Sequence, residues 1–287
     1  MHRPGVSALL HRLARDGYIA LGAGFLLLRL LQVRPWDQSV DSYAYWATRG
    51  GGMYDGHAAG VIGAYVYSPA FAQVLTPLTL LPWPVFVTLW TALNLGLVWW
   101  LLGRWSLPAM LFLPIPFEIV SGNVHLLYAA VIVLGFRYSA AWALPPLTKV
   151  TPGIGVVWFA VRREWRALAV AIAATAGIAI ASWLLDPAAW RTWLGILGES
   201  SSTPVTVGWF LPVSLLVRLP VALVVVAWAA LTGRAWLVPV AVVLAMPVVW
   251  VNSLAVLAAC VPLWRTRTAD RPALLGVDMG ALGTARS

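Results

Sequence analysis

The sequence is nearly free of cysteine and lysine and is poor in charge of either sign. Its single cysteine, Cys260, excludes a disulfide framework and a metal site built on several thiolates. Charged residues make up 10% of the 287 positions, whereas soluble domains are about a quarter charged. Together with 61% hydrophobic residues and a mean hydropathy of +0.83, this scarcity excludes both an ordinary water-soluble globule and a disordered chain.

The basic residues are almost all arginines and alternate with long apolar runs. The formal net charge is +9, and Lys149 is the only lysine. A nucleic-acid-binding protein would need one contiguous basic face, so nucleic acid is not expected as a partner. Arginine-rich segments between apolar runs are typical of a multi-pass protein of the cell membrane with basic cytoplasmic loops.

Several apolar runs are long enough to cross a bilayer, which takes about 20 residues. No Asp, Glu, Lys or Arg occurs between Asp55 and Arg104, and residues 167–185 form another uncharged run. Lipid-exposed backbone must satisfy its own hydrogen bonds, so we predict an all-α, polytopic transmembrane bundle of about ten helices. The predicted helices lie near residues 17–33, 66–81, 84–103, 106–117, 124–136, 139–160, 167–185, 212–231, 235–249 and 252–264.

Arginine placement sets the predicted orientation. The N-terminal arm, the loop at 162–166 and the tail after Trp264 are all rich in arginine, and ten spans put them on one side, the cytoplasm. Residues 34–65 and 186–211 then face outward. We predict a single transmembrane domain over residues 1–265 and a flexible cytoplasmic tail over 266–287.

The first outward segment combines acids with aromatic residues. Residues 41–48 can form two helical turns that place Asp41 and Tyr45 on one face. An ionisable group at a membrane cavity is a functional candidate, although a carboxylate that is merely solvated is the alternative. Asp37 and Asp41 can jointly hold a hard cation such as Mg²⁺, but two acids are few ligands for one. No other metal and no cofactor is expected.

The second outward segment predicts an amphipathic helix. Asp186 can cap it, with Pro187 at its first position. We expect this helix to lie flat on the membrane interface, anchored there by its tryptophans. The same anchoring role is expected for most of the 18 Trp residues of the chain, while a few can stack on a sugar or line a groove for a lipid chain.

Six short motifs follow one another in a set order. They are Asp41-Ser-Tyr-Ala-Tyr-Trp46, Gly50-Gly-Gly-Met-Tyr54, Tyr67-Ser-Pro-Ala-Phe71, Gly122-Asn-Val-His125, Leu147-Thr-Lys-Val-Thr-Pro152 and Met246-Pro-Val-Val-Trp-Val-Asn252. Over residues 36–265 this set resembles glycosyltransferase family 87. The members of this family are multi-pass enzymes of the GT-C superfamily, and they include polyprenol-phosphate-mannose-dependent mannosyltransferases.

The resemblance implies a GT-C-like fold in which an acid of the first outward loop, here Asp41, is the general base at the mouth of a membrane cavity. It implies transfer of a hexose, with mannose as the family's example, from a polyprenyl-phosphate donor. The acceptor would be a hydroxyl of a glycolipid or glycan outside the cytoplasm, glycosylated with inversion. The chemistry is consistent with these residue types, because a carboxylate can deprotonate the incoming hydroxyl on the face opposite the leaving phosphate.

The predicted substrate-binding residues centre on Lys149. A charge in an apolar stretch should have a partner, and the donor phosphate, Glu118 or the interface reached by snorkelling are the options. Asn123 and His125 can donate hydrogen bonds to the phosphate or sugar, although His125 also fits a helix–helix hydrogen bond. The remaining members of the predicted set are Tyr45, Tyr67, Trp250 and Asn252.

This sequence departs from the family pattern at two of these positions. Asn252-Ser253 stands where a His usually follows shortly after Trp250, and Asn123 stands where Gln is commoner. An amide can bond a sugar or phosphate but does not titrate near neutral pH. A non-enzymatic transporter or membrane scaffold is the alternative function. Transporters more often show matching half-repeats, which are not evident in this sequence.

Overall fold

The computed structural model describes residues 6–32, 34, 39–55, 63–202, 211 and 213–265. Within them 80% of the residues are helical and there is no strand, which confirms the all-α prediction. The predicted tail at 266–287 lies outside these residues. The α-helices are α1 Val6–Leu30, α2 Val40–Ala47, α3 Pro69–Thr79, α4 Trp83–Leu102, α5 Ser106–Ala109, α6 Pro114–Ser121, α7 His125–Gly135, α8 Leu144–Thr148, α9 Val157–Val161, α10 Trp165–Leu185, α11 Pro187–Ser202, α12 Leu215–Leu231 and α13 Val238–Leu244. Short 3₁₀ helices cover Thr48–Gly50, Gly103–Trp105, Ser139–Ala143, Thr151–Val156, Ala235–Leu237 and Val251–Ala259.

Two helices of the described chain are long and apolar enough to cross a membrane. They are Trp83–Ala109, which joins α4 and α5, and α10. Helix α4 has Pro84 in its first turn, where the missing N–H of proline has no helical partner to lose. Only 11% of the apolar window of α10 is buried inside the protein, against 50% for the first span. Helix α10 therefore lies at the outside of the bundle.

The predicted count of about ten spanning helices is not confirmed. Helices α6 and α7 meet at 111° and form a third span only if the bent pair is counted as one. The other apolar helices in the described ranges are shorter. The helix predicted near 139–160 is divided into two 3₁₀ helices alternating with α8 and α9. Pro145, Pro146 and Pro152 lie in this region, and each proline lacks the N–H that a continuous helix would need.

A buried arginine stabilises the point where the last helices are interrupted. Arg218 on α12 donates hydrogen bonds to the carbonyl oxygens of Leu244, Met246 and Pro247, at 2.7, 2.8 and 3.0 Å. These carbonyls lie at the end of α13 or just beyond it, where helical partners run out. The guanidinium therefore supplies the donors that the broken helix lacks.

Helix α11 forms where predicted, but its tryptophans are placed differently. The carboxylate of Asp186 accepts a first-turn backbone N–H at 2.9 Å, as expected of a cap. Trp190 and Trp193 are buried against the protein instead of facing an interface. Trp190 donates to Ser182 Oγ at 2.9 Å, and Trp193 donates to the carbonyl of Val66 at 3.2 Å. Because a buried indole N–H needs an acceptor, these bonds fix both rings toward the bundle.

Candidate active site

Asp41 lies in the first turn of α2, a short helix that packs across α3, α4 and α6. The predicted helix at 41–48 is therefore confirmed, one residue earlier at each end. Ser42 and Tyr45 are on its buried side, whereas Asp41 is only partly buried. The helical segment ends at Gly50, and Gly51 and Gly52 follow with φ of +79° and +60°, values that favour glycine and end a helix.

Gly122 lets α2 approach the corner between α6 and α7. Its φ is +72°, and a Cβ at this position would lie 2.7 Å from Ser42 Oγ and 2.8 Å from Ser42 Cβ. Its carbonyl accepts the Trp90 indole N–H at 2.6 Å, which joins the corner to α4. Only glycine combines this backbone conformation with so close a contact. The corner thereby brings Ser121 and Asn123, on either side of Gly122, against α2.

Asn123 and Ser121 are near enough to Asp41 to influence its carboxylate. Burial is the largest influence on this group and raises the pKa of Asp41 to about 6. The Lys149 ammonium and the polar side chains of Asn123 and Ser121 lower that pKa, while the Glu118 carboxylate raises it. A carboxyl group that titrates near neutral pH can accept a proton at physiological pH, as a general base must.

Asn123 connects Asp41, Tyr67 and Lys149 to one another and, through Tyr67, to Tyr45. Its Oδ1 accepts the Val124 N–H at 2.8 Å, the Tyr67 hydroxyl at 3.1 Å and Lys149 Nζ at 3.4 Å. The Tyr45 hydroxyl donates to that of Tyr67 at 3.0 Å. The Tyr67 ring lies 5.2 Å from Lys149 Nζ, within the range of a cation–π contact. With Asp41, these residues form one polar network drawn from separate parts of the chain.

The Lys149 ammonium uses little of its hydrogen-bonding capacity. An ammonium carries three N–H donors, and within the described ranges only Asn123 accepts from this one. In the same described ranges, Lys149 and Glu118 do not form an ion pair within 4.0 Å. The Glu118 carboxylate contacts the His125 ring instead. A half-buried cation near a carboxylate therefore has donors available for an anionic ligand.

The second carboxylate, Glu118, is fully buried on the inner side of the corner. Its Oε1 accepts the backbone N–H of His125 at 2.6 Å, and its Oε2 lies 2.9 Å from both His125 Nδ1 and Asn252 Nδ2. The Asn252 amide also donates to Ser121 Oγ at 3.1 Å. His125 Nε2 lies 3.3 Å from Ser253 Oγ. Both ring nitrogens of His125 and the amide of Asn252 are therefore engaged within the protein.

Trp250 occupies the residue before the 3₁₀ helix that carries Asn252. It is half-buried, and its backbone N–H donates to Ser253 Oγ at 3.0 Å. Through Ser253 it joins the hydrogen bonds around His125. All the predicted site residues thus lie in or beside one connected set of contacts, with Asp41, Tyr45, Tyr67, Asn123 and Lys149 at one end and His125, Trp250 and Asn252 at the other.

Sequence reasoning missed the part that Glu118 and Ser121 take in this network. The sequence indicates Glu118 only as a possible partner for Lys149, although Glu118 is the only acidic residue between positions 56 and 163. An isolated acid in so long an apolar region must find donors, and that was the available signal. Ser121 carried no comparable signal, because small hydroxyl side chains are common between packed helices.

The cation site predicted at Asp37 and Asp41 stays a prediction. Asp37, the predicted second ligand, lies outside the described residues. Among those that are described, no three His, Cys, Asp or Glu side chains come close enough to share a metal ion.

In the described residues, apolar helices surround a buried polar network that has an acid and an ammonium at one end. This arrangement defines a class of protein, a multi-pass membrane protein with a polar site. The chain belongs to glycosyltransferase family 87, whose family model matches residues 65–284. No curated protein and no solved structure has a significant match to it. The protein is thus a membrane glycosyltransferase, which acts on a sugar donor and an acceptor. Asp41 and Tyr45 precede the matched segment, and the other six predicted site residues lie within it.

Proposed function

We propose that this glycosyltransferase moves a hexose from a polyprenyl-phosphate donor to a hydroxyl of a glycolipid or glycan acceptor on the extracytoplasmic side. Mannose is the proposed hexose, by resemblance to the family. The observation that carries the proposal is the joint placement of the Asp41 carboxylate and the Lys149 ammonium, which both contact the side chain of Asn123. The Asp41 carboxylate suits a reaction that removes a proton, and the Lys149 ammonium suits a leaving group that carries negative charge.

In the proposed reaction, Asp41 takes the proton of the acceptor hydroxyl. The hydroxyl oxygen forms the new bond to the anomeric carbon, while the bond from that carbon to the phosphate oxygen breaks and its electron pair leaves with the phosphate. Attack opposite the leaving group inverts the anomeric configuration. The pKa of about 6 makes Asp41 a stronger base than an ordinary exposed aspartate while leaving it ionised at neutral pH.

Lys149 is the proposed ligand of the donor phosphate. Its ammonium has one long hydrogen bond, to Asn123 at 3.4 Å, so a phosphate oxygen can take up the remaining donors. A cation at this place also stabilises the charge that develops on the departing phosphate. Tyr45, Tyr67 and Asn123 keep that cation in position in the proposed complex.

The test is incubation of membranes containing the full chain with radiolabelled polyprenyl-phosphate hexoses, followed by a search for labelled glycolipid. We expect Asp41→Asn to abolish transfer without loss of expression, because an amide cannot accept the proton. Asp16→Asn is the matched control, since Asp16 is exposed on α1 and pairs only with its neighbour Arg15 in the described structure. Wild-type turnover in Asp41→Asn would remove Asp41 from the mechanism.

The role of Lys149 is tested by comparing substrates. We expect Lys149→Ala to raise the KM for the donor more than the KM for the acceptor, and Lys149→Arg to restore part of the donor affinity because it keeps the charge. Equal effects on both substrates in Lys149→Ala would indicate a purely structural lysine.

A further inference from the structure

Glu118 is a buried charge that the proposed transfer reaction does not use. Its side chain is completely inaccessible, so it cannot touch either substrate. The carboxylate receives three N–H donors when His125 carries its proton on Nδ1: the backbone N–H of His125 at 2.6 Å, His125 Nδ1 at 2.9 Å and Asn252 Nδ2 at 2.9 Å. Three N–H donors within the protein therefore satisfy this carboxylate without any contribution from a substrate.

These bonds cross the corner between α6 and α7. Glu118 lies in α6, and His125 is the first residue of α7. The first N–H groups of a helix lack helical acceptors and favour negative charge, so the Glu118 carboxylate acts as an acceptor for the start of α7. The 111° bend between the two helices is therefore fixed by one side chain that reaches across it.

The same carboxylate is linked to Asp41 through two side chains. The Asn252 amide that donates to Glu118 Oε2 also lies 3.1 Å from Ser121 Oγ. Ser121, in turn, lowers the pKa of Asp41, and it precedes Gly122, which packs closely against Ser42 beside Asp41. Removing the Glu118 charge would leave the Asn252 amide without one of its acceptors and free it to turn, and Ser121 would lose its orientation.

We propose that Glu118 is the positioning residue of the transferase site, which fixes the α6–α7 corner and, through Asn252 and Ser121, the carboxylate of Asp41. This inference rests on the proposed function, because it assigns Glu118 a role in the base step of that reaction. Glu118 acts at a distance through other side chains and is not itself a catalytic residue.

A purely structural role and a positioning role differ in their effect on the pH profile. Among the residues that the structure describes, the charged and titratable groups that face Asp41 are Lys149 after α8, Glu118 on α6, Tyr45 on its own helix and Tyr67 before α3. The negative charge of Glu118 raises the pKa of Asp41, and the positive charge of Lys149 lowers it. Loss of either charge should therefore move the acid limb of the activity profile, in opposite directions.

The experiment is a pH profile of kcat/KM for the full chain in membranes, with a radiolabelled polyprenyl-phosphate hexose as donor. We expect Glu118→Gln to lower kcat by about 10- to 100-fold, as a small displacement of a catalytic group does, and to move the acid limb to lower pH. Lys149→Met should move the same limb to higher pH. The matched control is Glu164→Gln, which removes an exposed acid of the Arg162–Glu164 pair and should leave kcat and the profile unchanged.

An unshifted acid limb in Glu118→Gln, whatever its kcat, would overturn the inference. If that variant does not accumulate, Asn252→Ala tests the same link with the Glu118–His125 pair intact; wild-type kcat there would also overturn it. Asp41→Asn is measured beside both variants. Full turnover in Asp41→Asn contradicts the proposed function, whereas its loss combined with wild-type behaviour of Glu118→Gln contradicts this inference alone.

Discussion

Replacing Gly122 by alanine should damage both the stability of the protein and its site. A non-glycine residue at the observed φ of +72° is strained by about 1–2 kcal/mol. The new Cβ would also lie 2.8 Å from Ser42 Cβ, and carbon atoms prefer about 3.5–4.0 Å. Relieving that contact requires a movement of about 0.7 Å or more, and overpacking of this kind typically costs about 1–3 kcal/mol. We therefore expect a loss of about 2–5 kcal/mol in the free energy of unfolding.

The displaced element is α2, which carries Asp41 next to Ser42, so activity should fall by about 10²-fold. Unfolding in denaturing detergent measures the first effect, and transfer of labelled hexose measures the second. Gly177→Ala is the control, because nothing lies within 4 Å of the Cβ that the alanine would add and alanine is favoured over glycine in a helix by about 1 kcal/mol. Adding Ser42→Gly should recover the steric part of the loss. If Gly122→Ala and Ser42→Gly changed the free energy of unfolding in a strictly additive way, the proposed contact between residue 122 and Ser42 would be refuted.

Three other outcomes are expected. The kcat/KM should fall as the pH drops below about 6, because Asp41 must be ionised to accept a proton and protonation removes the base; a flat profile between about pH 5 and 7 would exclude it as the titrating base. Arg218→Met should lower the free energy of unfolding by about 1–3 kcal/mol or more, because three carbonyls lose their donor; exposed Arg137→Met is the control, and equal stability of the two variants would contradict this account. A reporter fused to the C-terminus should be cytoplasmic, and its appearance outside would mean an odd number of spans.

The sequence was most informative where the signal is local. Helix α10 was predicted at 167–185 and covers Trp165–Leu185, because a charged loop and Asp186-Pro187 bound an uninterrupted apolar run. Helix α2 was equally predictable from the sequence, since its residues precede three glycines. The regions with several prolines were the least predictable: proline shows that a helix is interrupted but not whether the pieces continue in one direction.

The site could be predicted only as a set of positions. Asp41, Asn123 and Lys149 were candidates by charge, place and resemblance, yet their mutual contacts depend on the α6–α7 bend, which no local pattern encodes. The pairing of Glu118 with His125 instead of Lys149 has the same origin. His125 follows the bend by three residues, so the corner itself brings its backbone N–H and ring to the carboxylate.

The wide separation of Asp41 and Asn252 along the chain also affects how the enzyme is made. During translation Asp41 leaves the ribosome early, whereas the amide that completes the contacts of Glu118 and Ser121 is synthesised near the end of the described chain. Until the 3₁₀ helix Val251–Ala259 has been inserted, Glu118 lacks one of its three donors. In the proposed mechanism, a nascent chain therefore holds Asp41 before it holds Asn252, and the contacts that orient Asp41 are complete only once the 3₁₀ helix Val251–Ala259 has been made.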